Sequence, residues 1–375
     1  MEFHDFIDKK KELYNFLLAF IENVDDAIFH FQNLTRYLET QRFDKNHEEF
    51  KSFLRLLLKI SKNQHRTPDF FNKIEKILQF FEAEIKQTFS NIEIFDLFKN
   101  SKRILLFLFQ NNIITHDESL NDFLKNNCIY SKYKTYRFYF FPEIKSSFKD
   151  PNIKSIQREL EEIDSDIFLN FEENRQKGEN ESYICSLIQK DLVDDFISHV
   201  IQTNLPLSST IKPSIFETNS FLLKNKETSL IEYSAFYGSI QIFQYLRLNN
   251  IELKPSLWLY AIHGRNADII HLLEENLIVP EDKSYHKCLE ESIKCHHNEI
   301  ANYIINNFID LNDDENYDNN ALSYSFHYYN YSFFPTDFNN KFIFYYACQY
   351  NYIKIVKLLL SNKKDLNLNM TIILI

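Results

Sequence analysis

The sequence predicts an all-α protein in two parts: an irregular helical N-terminal domain, residues 1–175, and a solenoid of helix–turn–helix repeats, residues 181–375. Three observations carry that prediction. One short pattern recurs four times in the second half. Apolar residues recur every three or four positions over most of the chain, which is the helical period. Glycine is scarce, at 3 residues in 375, whereas sheet-rich folds with many tight turns need more of it.

The recurring pattern reads SLIEYSAFYGSIQIFQYLRLNN, SLWLYAIHGRNADIIHLLEEN, KCLEESIKCHHNEIANYIINN and FIFYYACQYNYIKIVKLLLSN, within repeats at about 229–253, 256–279, 287–310 and 342–367. Taking Gly238, Arg265, His296 and Asn351 as turn residues aligns all four copies. A small residue precedes each turn: Ala235, Ala261, Ser292 and Ala347. It is expected to let the first helix pack closely. An apolar stripe follows each turn, through Ile242, Phe243 and Leu246; Ile269, Ile270 and Leu273; Ile300, Ala301 and Ile304; and Ile355, Val356 and Leu359. Each copy then closes on asparagine, at 249, 276, 307 and 362. Asparagine tolerates left-handed backbone and is expected to end the second helix in that way. The turns are 27, 31 and 55 residues apart, so the last interval holds a degenerate unit. There ALSYSFHYYNYSFF predicts one helix without its partner, ended by Pro335. Self-similarity at this period is the signature of a solenoid.

The pattern resembles the ankyrin repeat, whose unit of about 33 residues reads T-P-L-H-x-A-A-x-x-G-H-x-x-V-V-x-L-L. The matches are Ala235, Gly238, Ile240, Ile242, Phe243 and Leu246 in one copy, and Ala347, Ile353, Ile355, Val356, Leu358, Leu359, Asp365 and Asn367 in another. The whole C-terminal half is similar to the diverged ankyrin arrays expanded in some protist parasites, which often carry a helical N-terminal region. No Thr-Pro-Leu-His survives here, and only one repeat keeps the turn glycine. The resemblance therefore implies the helix pairs more firmly than the regular β-hairpin fingers. It also implies a non-catalytic scaffold or adaptor, with partner contacts at the turn tips and the exposed side of the first helices. Glu232, Tyr237, Leu259, His263, Glu290 and Tyr345 are the expected contact positions.

Composition narrows the function classes. Hydrophobic residues at 44% and aromatics at 16% are ample for a core. The net charge of −11 and the lack of a basic run exclude a nucleic-acid binder. Five scattered cysteines, odd in number and without C-x-x-C, read as reduced thiols of a cytosolic or nuclear protein. The opening MEFHDFIDKKKELYNF carries charges where a signal peptide needs its apolar centre. The longest apolar run, Ile104 to Phe109, is far short of the ~18–20 residues that span a membrane.

In the N-terminal half, apolar stripes run through Leu13, Phe16, Leu17, Phe20 and Ile21, then Ile28, Phe31, Leu34 and Leu38, then Phe50, Phe53, Leu54, Leu57 and Leu58. Thr67-Pro68 is expected to open a helix. SKRILLFLFQNNIITHDESLNDFLKNN reads as a worn hairpin, because Asn111-Asn112 follow its stripe. The aromatic stretch 128–149 reads as a loop or docking segment. Asp150-Pro151 is expected to open a helix reaching about Phe171, and the polar stretch Glu172 to Glu181 marks the domain boundary. A first hairpin follows, with stripe residues Ile184, Leu187, Ile188, Phe196, Ile197, Val200 and Ile201.

The chemistry-bearing motifs are few. Cys288, Cys295, His296 and His297, with His286 nearby, have metal-ligand side chains, and a metal-dependent enzyme would have to use them. Zinc wants four converging ligands at tighter spacing. Core packing and the turn account for all four residues, so neither a metal nor a cofactor is expected. There is no G-x-S-x-G and no phosphate-cradling glycine loop. Glu161-Glu162, Asp194-Asp195 and Asp313-Asp314 read as solvated surface, so no enzyme activity is expected. The Tyr-rich stretches 328–331 and 345–346 are either core or partner anchors. The remaining alternative is a structural protein that self-associates through its apolar C-terminal end, residues 368–375, where the array shows no polar cap.

Overall fold

The computed structural model describes residues 3–23, 25–42, 46–64, 67, 69–115, 134–147, 152–225, 227–309, 317–335 and 342–361. Among them it is all-α, as expected, with 23 α-helices, one 3₁₀ turn and a single isolated β-bridge between Thr210 and Ser229. Helices α1 to α7 are Phe3–Glu22, Ala27–Gln41, His47–Asn63, Phe70–Phe80, Glu82–Thr88, Asn91–Phe98 and Lys102–Gln110. Next come α8 (Lys134–Tyr139), α9 (Phe141–Ser147), α10 (Asn152–Ile163), α11 (Phe171–Lys177), α12 (Tyr183–Gln189), α13 (Val193–Thr203) and α14 (Ser220–Lys224). The repeats supply α15 (Leu230–Tyr237), α16 (Ile240–Leu248), α17 (Leu257–Gly264), α18 (Ala267–Glu275), α19 (His286–Lys294) and α20 (Asn298–Phe308). The last elements are α21 (Tyr317–Tyr328), the 3₁₀ turn Tyr331–Phe333, α22 (Ile343–Gln349) and α23 (Ile353–Ser361).

The helices form two compact units that do not follow chain order. One unit gathers the described residues of 1–60, 66–73 and 280–375, and the other those of 61–65 and 74–279. In the second unit three hairpins, α12/α13, α15/α16 and α17/α18, pack in register. First helices touch first helices (α12 on α15 on α17), and second helices touch second helices (α13 on α16 on α18). In the first unit α19 pairs with α20 and packs on α21, α21 packs on α22, and α22 pairs with α23. Helix α1, from the start of the chain, packs on the 3₁₀ turn, on α2 and on α23.

Every turn residue picked from the sequence has left-handed backbone: Gly238 at φ 68°, Arg265 at 52°, His296 at 60° and Asn351 at 61°. Asp191 (51°) and Tyr329 (60°) have it too. The expected first hairpin and the helix without a partner therefore share the same turn. The amide after the turn closes back on the carbonyl five residues earlier: Ser239 to Ser234 at 2.9 Å, His297 to Ser292 at 3.0 Å, and Tyr352 to Ala347 at 2.8 Å. This is the 6→1 bond of a Schellman-type helix end. Ala235, Ala261, Ser292 and Ala347 are all fully buried. Only glycine fits where α15 and α17 approach most closely. A Cβ on Gly264 would stand 2.0 Å from the Ala235 carbonyl oxygen, and one on Gly238 would stand 2.6 Å from that of Gly264.

Several expectations are corrected. Asn249 and Asn276 end their helices at φ −89° and −87°, not in left-handed backbone. Their side chains instead donate to the carbonyl four residues back, at 2.8 Å to Tyr245 and 2.7 Å to Leu272, and Asn307 does the same to Tyr303 at 2.8 Å. The Tyr245 and Leu272 carbonyls also accept the asparagines' own amides, at 3.1 Å and 3.2 Å, so the side chain adds a second bond to each helix end. The left-handed residue is the next one, Asn250 or Leu277. Asn111 makes the same bond to Phe107 at 2.9 Å; the second limb of the expected worn hairpin, from residue 116 on, lies outside the described residues.

The aromatic stretch is not a loop where it is described. It folds as α8 and α9, with Phe138, Tyr139, Phe140 and Phe141 buried, because burial of four rings outweighs their modest helix propensity. The helix expected from Asp150 to about Phe171 stops at Ile163, and a separate helix, α11, starts at Phe171 and runs to Lys177 inside the polar stretch expected to mark the boundary. Arg175 of α11 is buried and bonds Glu143 at 2.6 Å and the Tyr139 carbonyl at 3.0 Å. Burial opposes its charge, but the Glu143 and Glu172 carboxylates outweigh that and raise its pKa. Ile28 and Ile201, placed on buried stripes by their spacing, are 70% and 71% exposed. Ile28 lies in the first turn of α2, ahead of the buried Leu34, Tyr37 and Leu38, and Ile201 sits in the last turn of α13. Pro68, Cys128, Asp150, Pro151, Asp313, Asp314, Asn362, Asp365, Asn367 and the segment 368–375 lie outside the described residues.

Candidate functional site

The site is best built from what each turn does to the hairpin before it. The residue after the turn carries a side-chain donor that bonds a carbonyl of the preceding turn. Ser239 donates to Ile188 O, Asn330 to Ile293 O at 3.0 Å, and Tyr352 to Phe326 O at 2.9 Å. In all three the acceptor lies three residues before the preceding turn residue (Asp191, His296 and Tyr329). Asn266 reaches the preceding turn residue itself, Gly238 O, at 2.9 Å. Ile188 O and Ile293 O also accept the turn amides of Asp191 at 3.0 Å and His296 at 3.2 Å, so the side-chain donor adds a second bond, worth about 0.5–1.5 kcal/mol, that ties adjacent hairpins in one register. In the sequence they are visible only as a donor side chain following each turn.

The start of each second helix needs acceptors, since its first amides have no intrahelical partner. At α16 they come from the preceding turn: Asp191 receives Gln241 N and Ile242 N, both at 3.0 Å. At α18 Asn266 receives Asp268 N and Ile269 N. A carboxylate placed there also matches the positive end of the helix dipole.

At the His296 turn the partner comes from the chain's first helix. The Tyr14 hydroxyl lies 2.9 Å from His296 Nδ1 and donates to Asn330 Oδ1 at 3.1 Å, while Asn298 Nδ2 donates to it at 3.3 Å. Asn330 also donates to Asn298 Oδ1 at 2.8 Å. Tyr14, His296 and Asn330 are essentially inaccessible. Burial, aided by the positive Lys59, holds the His296 imidazole down at about 3, so it is neutral across the physiological range. Its Nε2 has no hydrogen-bond partner among the described residues. Burial pushes the Cys288 and Cys295 thiols up, away from the thiolate that nucleophilic or metal chemistry requires.

The expected contact residues are placed unevenly. Tyr345 is 49% exposed. Glu232 is half-buried and structural. Its carboxylate forms a capping box with Ser229 and accepts from Ser256 Oγ at 2.7 Å. Tyr237 and Leu259 are half-buried, with Tyr237 against the ring of Tyr233. Glu290 accepts from the Tyr328 hydroxyl at 2.9 Å. His263, expected on the exposed side, is buried against Phe221 and stacked on Phe236 at 4.9 Å. The cause is the packing of first helices on one another, which covers their flanks.

What sequence reading missed is a row of exposed aliphatics at the far ends of the second helices. Ile201, Leu248 and Leu277 are 71%, 73% and 84% exposed, one on each of three successive hairpins of the second unit. Isolated exposed leucines need no explanation; here Ile201 and Leu248 each stand ten residues after their turn residue and Leu277 twelve, and this recurrence on successive hairpins marks a candidate interaction surface. For Leu248 and Leu277 the available signal was an apolar residue next to the recurring asparagine and out of phase with the stripe, whereas Ile201 carried none, its spacing placing it on the stripe. Among the described residues no helix is long and apolar enough to cross a membrane. No protein-family model, no curated protein and no solved structure matches this chain.

Proposed function

We propose that this chain is a non-catalytic interaction protein of ankyrin-like build, whose stacked hairpins present the Ile201–Leu248–Leu277 row to a protein partner. The observation that carries the reading is the repeated turn-to-turn hydrogen bond. One contact recurring at successive junctions is what a one-dimensional stack of like units requires, and such stacks serve as extended binding surfaces. The buried neutral His296 and the raised cysteine pKa values offer no activated nucleophile, which favours binding over catalysis. Free cysteines at 185, 288, 295 and 348 fit a reducing, cytosolic setting.

The test uses the full chain and a variant carrying Ile201→Asp, Leu248→Asp and Leu277→Asp as paired baits in an extract of the source cell. Any retained protein is then purified and titrated against both. Loss of affinity by about tenfold or more in a variant of unchanged melting temperature supports the surface, as expected when apolar anchors carry most of the binding energy. Equal affinity removes the row from the interface, and retention of nothing by the wild type counts against the reading altogether.

A further inference from the structure

Two positions in each hairpin record whether the next hairpin of its unit covers it. The residue three before the turn is Ile188 in α12, Ala235 in α15, Ile293 in α19 and Phe326 in α21. The residue five after the turn is Phe196, Phe243, Ala301 and Phe334 in the same order. All eight are buried, at 3% exposure or less. Contacts with the following hairpin are part of the reason: Phe196 lies against Tyr245, Ala235 against Gly264, and Phe326 against Tyr352.

In the hairpin α22/α23 the same two positions are Cys348, which is exposed, and Val356, which is half-buried. Phe344 and Leu360 stand four residues from them, on the same helix faces. Phe344 is half-buried and Leu360 is 43% exposed. These four side chains form an apolar face that lacks, among the described residues, the following hairpin that covers its counterparts.

The sequence places a cover at the right distance. Helix α17 opens 19 residues after Gly238, α19 opens 21 after Arg265, and α21 opens 21 after His296. The same count from Asn351 reaches 370–372, and residues 370–375 read MTIILI, apolar at every position but Thr371. The stretch between, 362–369, reads NKKDLNLN. Extended, it can reach about 26 Å, whereas packed helices stand only about 8–10 Å apart.

We propose that residues 370–375 dock on the face of Phe344, Cys348, Val356 and Leu360 as the start of one further first helix. The array is then closed by the chain's own segment and not by a second copy. So short a segment is not helical alone, and it gains its helix by docking, where both apolar surfaces leave water together. The outer face of a terminal unit needs such a cover, since no further repeat buries it. The proposal is independent of the Ile201–Leu248–Leu277 row.

Cys348 reports the cover, because the other described cysteines, 185, 288 and 295, are buried. The full-length protein is treated with N-ethylmaleimide under native conditions, and each cysteine's modification is followed by peptide mass spectrometry. Wild type is compared with the double variant Ile372→Asp and Leu374→Asp. Cys348 is expected to react about tenfold or more slowly in the wild type, as for a site reached only by local opening. That protection is expected to be independent of protein concentration, with Cys295 slow in both proteins. The milder pair Ile372→Ala and Leu374→Ala adds no charge, guards against loss of fold in the aspartate variant, and is expected to give an intermediate rate. Equal Cys348 rates in the wild type and both variants would overturn the proposal. So would protection that arises only as protein concentration is raised, since a second copy would then be the cover.

Discussion

Two junctions between neighbouring hairpins meet the same demand by opposite means. Between α15 and α17 the backbones touch through glycine, and the Gly238 carbonyl takes the short side chain of Asn266. Between α19 and α21 no glycine is present. The turn residue is a histidine, and a tyrosine from 282 residues away closes its polar network. The first device depends on the absence of a side chain and the second on a distant hydroxyl. The first junction is therefore intolerant of added volume, and the second of a lost hydrogen bond.

The sharpest way to break the contrast is Gly264→Ala. Its methyl would overlap the Ala235 carbonyl, and backbone cannot swing aside as a flexible side chain can. The expected loss exceeds about 4 kcal/mol. It is read from the fluorescence of Trp258, the single tryptophan, which is buried in α17 with its indole N–H on Ile278 O at 2.6 Å. A native emission maximum and an unshifted urea midpoint would show that the approach is looser than described.

At the other junction Tyr14→Phe keeps the ring and removes the hydroxyl, leaving buried partners at Asn330 and His296. Urea unfolding followed by circular dichroism should show a loss of about 1–3 kcal/mol. A neutral result would mean that water replaces the hydroxyl.

Acid should distinguish the junctions as well. The His296 imidazole titrates near 6.5 when unfolded but only at about 3 in the fold. Between those values the unfolded chain holds the extra proton, so stability falls as pH falls through this window, by up to about 1.4 kcal/mol per pH unit. His296→Asn, compatible with left-handed backbone, should remove that share of the slope, about 2 kcal/mol between pH 6.5 and 5. His327, held down at about 4 by burial, Lys59 and Lys294, keeps its own share in both proteins. Equal slopes with and without His296 would show that it is not held neutral.

Smaller effects complete the series. Asn276→Ala removes one side-chain bond to a helix-end carbonyl and should cost about 0.5–1.5 kcal/mol, checked by thermal melting.

Much of the array was legible because turn backbone restricts residue choice locally. Left-handed φ favours Gly and Asn, and a buried helix contact favours Ala and Ser. The asparagines were found for their recurrence but assigned the wrong geometry, since a side-chain bond to the carbonyl four residues back leaves no mark beyond residue type. His263 could not be placed from its spacing, because its exposure is decided by Phe221 and Phe236 in other helices. The pairing of Tyr14 with His296 was beyond reach altogether, since nothing local in α1 names a partner near residue 296.

The route by which α1 finds its partners has a consequence during synthesis. At about 5–20 residues per second, α1 leaves the ribosome some tens of seconds before Asn298 and Asn330 exist. For that interval the Tyr14 hydroxyl lacks its partners His296, Asn298 and Asn330, and α1 lacks the 3₁₀ turn and α23 that pack on it. The hairpins α12 to α18, drawn from one continuous stretch, can stack as they emerge. A nascent chain stalled between residues 280 and 330 should therefore hold protease-resistant hairpins together with an α1 that chaperones still recognise.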